Sequence, residues 1–408
     1  MQIKPILSAL RRHKAGTLLI MLQIALTLAI VSNAFFIIQQ NLTQLSRPTG
    51  IDEAQIVRIN NQFATGTEAT DAALMQSDLD TLRRVPGVVD AYATNSLPLS
   101  RSGRSMGINL KPGQPNAMVT AAFYFADEHT IPTLGLQLLA GRNFSPSEIV
   151  DQTDNDAFKV PSVIITQSLA DTQFPHGSAL GKVLYIGSAA STVVGIVRRL
   201  EVPWVDAAGA GVHDGDSVLM AARSISNRAS YVLRVRPGQL EAVKTAAPNA
   251  LFASNRVRVI PDDKGVQSFS EIRAEAYASV RGTAVLMGII SLVLLGVTAA
   301  GIVGLSSFWV GQRRRQIGIR RALGATSHDI LSYFLTENFL ISLAGVALGT
   351  LLALGMNAWM MQHFEMHRLS PLYVAIGVIV LLLLGQSAVL APALRASRVP
   401  PVTATRTV

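Results

Sequence analysis

The sequence predicts a membrane protein with four transmembrane helices and one large α+β extracytoplasmic domain between the first and second helix. Three observations lead to this fold class. Only 15% of the 408 residues are charged, whereas about 25% is usual for a soluble domain. Four apolar runs are each long enough to cross a bilayer. About 240 residues of ordinary composition separate the first run from the second, which is ample for a folded domain.

The first predicted span covers residues 17–39 and would be about 33 Å long as a helix, enough for a hydrocarbon core of about 30 Å. A cleaved signal peptide is disfavoured because this apolar core is longer than the usual 7–15 residues. Residues 1–16 are predicted to form a basic N-terminal segment outside the first span. Apolar residues recur there at helical spacing, at Ile3, Ile6, Leu7 and Leu10. They predict an amphipathic helix on the membrane surface, and an unstructured basic flank is the equal alternative.

Three further spans are predicted at residues 283–309, 334–356 and 372–393. The N-terminus, the segment 310–333 and the tail 394–408 together carry 12 Lys and Arg residues. The short loop 357–371 carries one, Arg368. Because cytoplasmic loops are enriched in Lys and Arg, we expect both termini in the cytoplasm and residues 40–282 outside.

The outer region has a strand–helix–strand pattern at each of its two ends. The first unit runs through residues 54–93 and the second through 231–260. This pattern predicts one α+β subdomain built from both ends of the region, with a second subdomain inserted at about residues 125–225.

Small residues recur every four positions in two of the spans. They are Gly296, Ala300 and Gly304 in the second span, and Gly345 and Gly349 in the third. Such residues let helix backbones approach closely, so we assign them to helix packing. Few polar residues lie within the spans (Gln23, Asn33 and Gln386), and we expect no charged residue there. A transporter built on a buried proton relay is therefore disfavoured.

No motif for catalysis or cofactor binding is evident. Residues 177–183 resemble a nucleotide-binding P-loop, but they have three residues instead of four between the glycines and Val183 where Ser or Thr is needed. We therefore expect no active site, no cofactor and no metal in this chain. The net charge of +9 is concentrated beside the apolar runs, with no basic patch carrying interleaved aromatics, so a nucleic-acid partner is excluded.

The most informative segment is the basic stretch 311–330 after the second span. Gly324 and Ala325 permit a sharp turn, and Thr326 or Ser327 can cap a new helix with Asp329 in its first turn. The pattern predicts a helix–turn–helix knob in the cytoplasm that a soluble partner could grip. A simple basic loop that anchors the chain to anionic lipid headgroups is the alternative.

This stretch, RRRQIGIRRALGATSHDI, resembles the signature of the FtsX-like permease domain in MacB-type (type VII) ABC transporters. Residues 22–30, 141–144 and 392–398 also look like parts of that family. The resemblance implies a porter-like outer subdomain with an inserted sabre-like one. It also implies a homo- or heterodimer of permeases driven by a separate ATPase, because no fused nucleotide-binding domain is evident. The family's ATPase-coupling helix would correspond to Arg320, Arg321, Ala322, Gly324, Ala325, Ser327, His328 and Asp329.

The function implied by this resemblance is force-driven export of a drug, peptide or lipid-like substrate across the bacterial inner membrane, with a periplasmic adaptor as a possible partner. The alternative is an FtsX-like regulatory protein that activates an envelope enzyme without transport. Two positions depart from the family pattern. Gln316 stands where Glu is usual, and Thr403-Ala404 stands where Glu-Ala is common.

Overall fold

A computed structural model describes residues 14–64, 67–114, 118–153, 159–187, 189–206, 211–364 and 368–398. The predicted amphipathic helix of the N-terminus and the Thr403-Ala404 departure lie outside these residues. The chain forms two compact units, an outer unit of Ser46–Ser279 and a helical unit made of the segments on either side.

The helices, in chain order, are α1 (Lys14–Leu45), α2 (Glu68–Arg83), α3 (Thr130–Leu134), α4 (Gln167–Gln173), α5 (Leu240–Ser254), α6 (Phe269–Ala276), α7 (Ala278–Gln312), α8 (Arg314–Ala322), α9 (Ser327–Phe364) and α10 (Pro371–Ser397). The strands are β1 (Ile56–Phe63), β2 (Val88–Thr94), β3 (Arg104–Asn109), β4 (Val119–Ala126), β5 (Leu138–Gly141), β6 (Val150–Gln152), β7 (Ser162–Thr166), β8 (Val183–Ile186), β9 (Ala189–Val197), β10 (Ser217–Ser224), β11 (Arg228–Val235), β12 (Arg258–Val259) and β13 (Val266–Ser268).

The helical unit contains four helices, α1, α7, α9 and α10, that are long and apolar enough to cross a membrane. The predicted fold class is confirmed. Each helix extends beyond its predicted span because hydropathy marks only the apolar centre of a helix. The loop predicted at 357–371 is shorter in the structure. Helix α9 runs to Phe364, and α10 begins at Pro371 after an N-cap at Ser370.

Helix α1 packs against both α9 and α10, with Ile20, Ile24 and Leu28 fully buried. Half of the most apolar window of α1 is buried, whereas only 11% of that window in α7 is covered. Side-chain hydrogen bonds add to this packing. Thr27 Oγ1 lies 2.8 Å from Thr298 Oγ1, and Asn338 Nδ2 donates to the carbonyl of Gly385 at 3.1 Å. Such polar contacts stabilise helix association where lipid offers no hydrophobic drive.

One half of the outer unit is a five-stranded sheet in the order β12-β1-β11-β2, with β13 also paired to β1. The sheet combines strands from both ends of the region, as the sequence predicted. Helices α2 and α5 cover one of its faces and bury an apolar core that includes Ile59, Leu79, Tyr231 and Leu251. Residues two apart on a strand share a face, so the alternate positions of β1 and β11 lie on the other side of the sheet.

The other half is an eight-stranded mixed sheet in the order β4-β3-β8-β9-β7-β10-β6, with β5 paired to β9. It ends at Ser224, but it begins at Arg104, about 20 residues before the start predicted near 125. The early strands belong to this sheet because β4 pairs in parallel with β10, a contact between distant parts of the chain. The sequence did not predict β3, because buried and exposed positions alternate only weakly along this strand.

Candidate functional site

The predicted knob is a compact element that we call the elbow, residues 313–329. Helix α7 ends at Gln312, and α8 begins after Arg313. Helix α8 ends in a left-handed turn at Gly324, whose φ is +97°. The Gly324 amide donates to the Arg321 carbonyl and the Ala325 amide to the Arg320 carbonyl, at 3.1 and 3.0 Å. This pair of bonds is a Schellman motif, which satisfies the last carbonyls of a helix and favours glycine at the turn.

The start of α9 is fixed by a reciprocal cap. The Thr326 amide donates to Asp329 Oδ2 at 2.9 Å, and the Asp329 amide donates to Thr326 Oγ1 at 3.2 Å. A cap of this kind satisfies amides that have no partner within the helix. Of the two caps that the sequence allowed, the structure uses Thr326. The turn between α8 and α9 is therefore held at both of its ends.

The elbow is tied to the last turn of α10. Arg321 Nη1 donates to the Ser397 carbonyl at 2.6 Å, and Ser327 Oγ donates to the same carbonyl at 3.1 Å. A cation is favourable at a helix C-terminus, where the last carbonyls carry partial negative charge. Two of the predicted coupling residues therefore act as anchors within the helical unit.

A buried ion pair links the elbow to the third span. Arg313 Nη1 donates to both carboxylate oxygens of Glu337, at 3.0 and 2.8 Å. Only 11% of the Arg313 side chain and 4% of the Glu337 side chain are exposed. The expectation that no charge lies within the spans is wrong, because Glu337 lies inside the predicted third span. The cost of burying the Glu337 charge is offset by its partner Arg313, which lies between α7 and α8.

A cavity of about 190 Å³ lies in the angle between α8 and α9. Arg320, Gln316 and Asp329 line it, together with Tyr333. The Arg320 guanidinium lies over the Tyr333 ring at 5.0 Å from its centroid, a favourable cation–π distance. Gln316, the departure from the family pattern, therefore faces this cavity and takes no part in the anchor to α10.

The remaining predicted coupling residues lie mainly on the exposed surface of the elbow. Ala322, Gly324, His328 and Asp329 are exposed, and Ala325 is half-buried. The sequence analysis missed two neighbours, Leu323 and Ile319, which are 83% and 48% exposed. Their spacing of four places them on one side of α8, while Ile317 is buried on the other. In the sequence, the only sign of this pair is two aliphatic residues four positions apart in a basic segment.

The five predicted packing residues divide into two groups. A Cβ added at Gly345 or Gly349 would lie within 3.0 Å of backbone in α1, so these glycines permit the close contact between α9 and α1. Gly296, Ala300 and Gly304 are exposed, and among the described residues no atom of another helix lies within 4 Å of a Cβ added at either glycine. The structure therefore leaves this side of α7 uncovered.

Two family models match the chain. Residues 17–250 match the MacB-like periplasmic core domain, and residues 288–401 match the FtsX-like permease C-terminal domain. The crystallised extracellular domain of the noncanonic ABC-type transporter YknZ from Gram-positive bacteria aligns with 52% of this chain and 98% of its own length. Its sequence identity is 14% and its TM-score is 0.32, too low to support a fold assignment.

Curated relatives agree with the family models. The macrolide export ATP-binding/permease protein MacB of Chromobacterium violaceum is 28% identical over 66% of this chain and 41% of its own length. The MacB of Acinetobacter baylyi is 24% identical over 86% of this chain and 50% of its own length, so the chain spans about half the length of these relatives. The uncharacterized ABC transporter permease YknZ of Bacillus subtilis is 24% identical over 99% of this chain and 98% of its own length. This multi-pass membrane chain belongs to the family of MacB-like ABC transporter permeases that carry an FtsX-like permease domain.

Proposed function

We propose that the chain is a permease subunit that transmits force from a separate cytoplasmic ATPase to its outer unit and thereby drives export. The elbow carries this proposal. It presents an aliphatic tip, Ile319 and Leu323, on a helix whose other contacts fix it to α9 and α10. An exposed apolar tip on a rigid support suits a docking surface, because a few buried anchors supply most of the energy of an interface.

The proposed path of force begins at this tip. The Arg321 and Ser327 bonds to Ser397 carry a push on α8 into α10, and the Arg313–Glu337 pair carries it into α9. Helix α9 packs on α1 at Gly345 and Gly349, where the backbones nearly touch. Helix α1 continues directly into the outer unit at Ser46, so displacement of α1 reaches that unit along the chain.

The orientation in the membrane is part of this proposal. The elbow, the N-terminus and the tail hold the excess of Lys and Arg, which favours a cytoplasmic location for all three. The chain has no cysteine, so each introduced cysteine is unique. We expect Leu323→Cys to react with an impermeant thiol reagent only in inside-out vesicles, and Asn227→Cys of the outer unit only in intact cells whose envelope admits the reagent. Labelling of position 323 from outside would overturn the mechanism.

The proposed cargo is a drug, a peptide or a lipid-like molecule, taken from the outer side of a bacterial inner membrane. The name of the MacB relatives, a macrolide export protein, supports this class. Dimerisation with a second permease, an adaptor in the periplasm and anionic lipids around the basic elbow complete the proposed assembly. The match to an FtsX-like domain favours one second candidate, a regulator that activates an envelope enzyme. Export of a substrate by the purified, reconstituted assembly would exclude that candidate.

Purification of the tagged full-length chain from its native host tests the proposal directly. We expect a soluble ATPase to co-purify and to be stimulated by the chain. Leu323→Asp should reduce that stimulation about tenfold or more, as loss of a central apolar anchor does. Replacing Gly324 and Ala325 with bulky residues should abolish it while the chain still inserts. Val257→Asp is the control, because Val257 is also an exposed aliphatic residue but belongs to the outer unit. Unchanged stimulation in Leu323→Asp would refute docking at the elbow.

A further inference from the structure

A polar cleft opens in the outer unit, far along the chain from the elbow. It consists of two cavities of about 530 and 310 Å³, each within the range of small-molecule sites. The two cavities share four polar residues and therefore adjoin each other. These shared residues are Asn60, Asn95, Ser102 and Ser230. We call this feature the outer cleft.

The floor shared by the two cavities is the face of the five-stranded sheet that α2 and α5 leave open, and the larger cavity also reaches Met75 of α2. Asn60 of β1 is paired with Ser230 of β11, and Ser230 is paired with Thr94 of β2. Three neighbouring strands therefore place an amide and two hydroxyls in one row. The Ser230 hydroxyl donates to Asn60 Oδ1 at 3.2 Å, and Asn60 Nδ2 donates to the Lys264 carbonyl at 3.3 Å. An amide nitrogen has two N–H groups, so a second donor of Asn60 is available to a ligand.

The charge of the cleft is strongly positive. Its lining contains five cations and one acid, Glu275. The cations are Arg58, Arg101, Arg104, Arg228 and Lys264. Glu275 is engaged by Lys264 at 2.6 Å, which leaves an excess of four positive charges. Arg101 lines the smaller cavity and Arg228 the larger one, so cations lie at both ends of the polar row.

Arg58 is incompletely satisfied where it lines the smaller cavity. One of its terminal nitrogens donates to Gln267 Oε1, but its buried Nε has no hydrogen-bond partner in the described part of the chain. Burial lowers the pKa of this guanidinium from its ordinary value, which means that the charged form is incompletely compensated. An anion beside the guanidinium of Arg58 would supply the missing negative charge.

The walls of the cleft are built with unusual backbone. Three described residues other than glycine have a positive φ, between +60° and +63°, and all three line the smaller cavity. They are Leu99, Arg101 and Lys264. The wall is held in place, since the amides of Leu99 and Arg101 donate to the carbonyls of Val202 and Pro203 at 3.1 and 2.8 Å. Backbone held in this sparsely populated region is concentrated at ligand clamps and active sites.

The strand pairing in the floor of the cleft excludes a peptide that would bind by adding a strand to the sheet. Peptides commonly add a strand to a free sheet edge. Here β1 lies between β11 and the β12–β13 segment, and β11 lies between β1 and β2, so the backbone of the floor is already paired. Recognition therefore has to use side-chain amides, hydroxyls and guanidinium groups. These groups match the vicinal hydroxyls and carboxylates of an acidic sugar.

We propose that the outer cleft binds an acidic saccharide of about two sugar units, with its carboxylate groups at the arginine-lined ends and its hydroxyls over Asn60 and Ser230. This inference goes beyond the proposed force transmission and does not depend on an ATPase partner. It gives the outer unit a ligand of its own, of the class of charged glycans found outside the membrane.

Calorimetric titration of the full-length chain in detergent tests this site, with digalacturonate as the probe and neutral galactobiose as its uncharged counterpart. We expect binding of digalacturonate and about tenfold weaker or no binding of galactobiose, as loss of charge-assisted hydrogen bonds implies. Arg101→Gln, Arg228→Gln and Asn60→Ala should each weaken the binding of digalacturonate by about tenfold. Arg236→Gln, an exposed charge outside the cleft, should leave it unchanged.

Three results would overturn the inference. The first is an absence of digalacturonate binding by the wild-type chain. The second is equal binding by Arg101→Gln, Arg228→Gln and the Arg236→Gln control. The third is tighter binding of the peptide Asp-Ser-Asp, or of inorganic phosphate alone, than of digalacturonate, since this would assign the cleft to another kind of anion. A failure of elbow variants to affect an ATPase would leave these measurements untouched.

Discussion

Arg313 and Glu337 are 24 positions apart and form a buried ion pair that joins the start of the elbow to the third span. One guanidinium nitrogen of Arg313 donates to both carboxylate oxygens of Glu337. Arg313 separates α7 from α8, and Glu337 lies ten residues into α9. The pair therefore fixes the angle at which α8 leaves the membrane helices. Because both side chains are almost fully buried, removal of either one leaves the charge of the other buried and unpaired, which destabilises the folded state.

Breaking this pair should destabilise the helical unit. We expect Glu337→Gln to cost about 3–5 kcal/mol, because it leaves the Arg313 charge buried and unpaired. The double variant Arg313→Met/Glu337→Leu should recover most of that loss, since it removes both charges. Thermal unfolding of the full-length chain in detergent measures the difference. Arg314→Met, at an exposed neighbour, is the matched control. A double variant less stable than Glu337→Gln would contradict the assignment.

The contact of α9 with α1 provides a second prediction. A Cβ at Gly349 would lie 2.8 Å from the Ala25 carbonyl oxygen and 2.9 Å from Ala25 Cα, so Gly349→Ala should force α9 away from α1. We expect a loss of about 1–3 kcal/mol, as overpacking costs. Gly355 is the control in the same helix, because its Cβ would meet no described atom within 4 Å. Gly355→Ala should be neutral or mildly stabilising in the same thermal assay.

The sequence predicted local features well and tertiary ones poorly. The Thr326–Asp329 cap and the turn at Gly324 depend on residues within a few positions of one another. The turn was predicted, and Thr326 was one of the two caps that the sequence allowed. The Glu337 charge was missed because an apolar window averages over one charge. Its partner, Arg313, is 24 residues away, at the first position of the elbow. Strand β3 was missed because its place in the sheet depends on distant strands.

The outer cleft was also beyond the sequence. Arg58, Asn60 and Ser230 lie in strands whose sequences alternate like those of any half-buried strand. Only the register of β1 with β11 brings the three residues together. Similarly, the tip of the elbow needed the structure. Ile319 and Leu323 look like any apolar residues of an amphipathic helix until the burial of Ile317 shows which side of α8 is covered.

The core of the five-stranded sheet contains a buried polar network that should dominate the stability of the outer unit. Asp78 accepts two hydrogen bonds from Arg258, at 2.7 and 2.8 Å, and one from the Tyr231 hydroxyl at 2.7 Å. Both charged side chains are at most 1% exposed. We expect Asp78→Ala to cost about 3–5 kcal/mol, because the Arg258 charge is left buried.

The matched control for this network is Asp80→Ala. Asp80 is about half exposed and lies 3.8 Å from Arg83, so its loss should cost about 0–1 kcal/mol. Trp204 is the one tryptophan of Ser46–Ser279, and it reports this unit in a chain where Trp309 and Trp359 are replaced by Phe. Equal denaturation midpoints for the two Asp variants would show that the network contributes little.

The stability of the outer unit should also fall in acid through Glu148. Arg142 donates two hydrogen bonds to this carboxylate at 2.7 Å and holds the pKa of Glu148 well below its ordinary value of 4.5. An acid whose pKa is lower in the folded state stabilises the fold above its unfolded pKa, and this contribution is lost as the pH falls towards the folded pKa. The advantage of the wild-type chain over Glu148→Gln should therefore be constant near neutral pH and shrink below about pH 4.5. Glu241→Gln, at a side chain that is 83% exposed, should show no such trend in Trp204-detected denaturation. A difference between wild type and Glu148→Gln that grew with acid would show that the ion pair with Arg142 is not formed in solution.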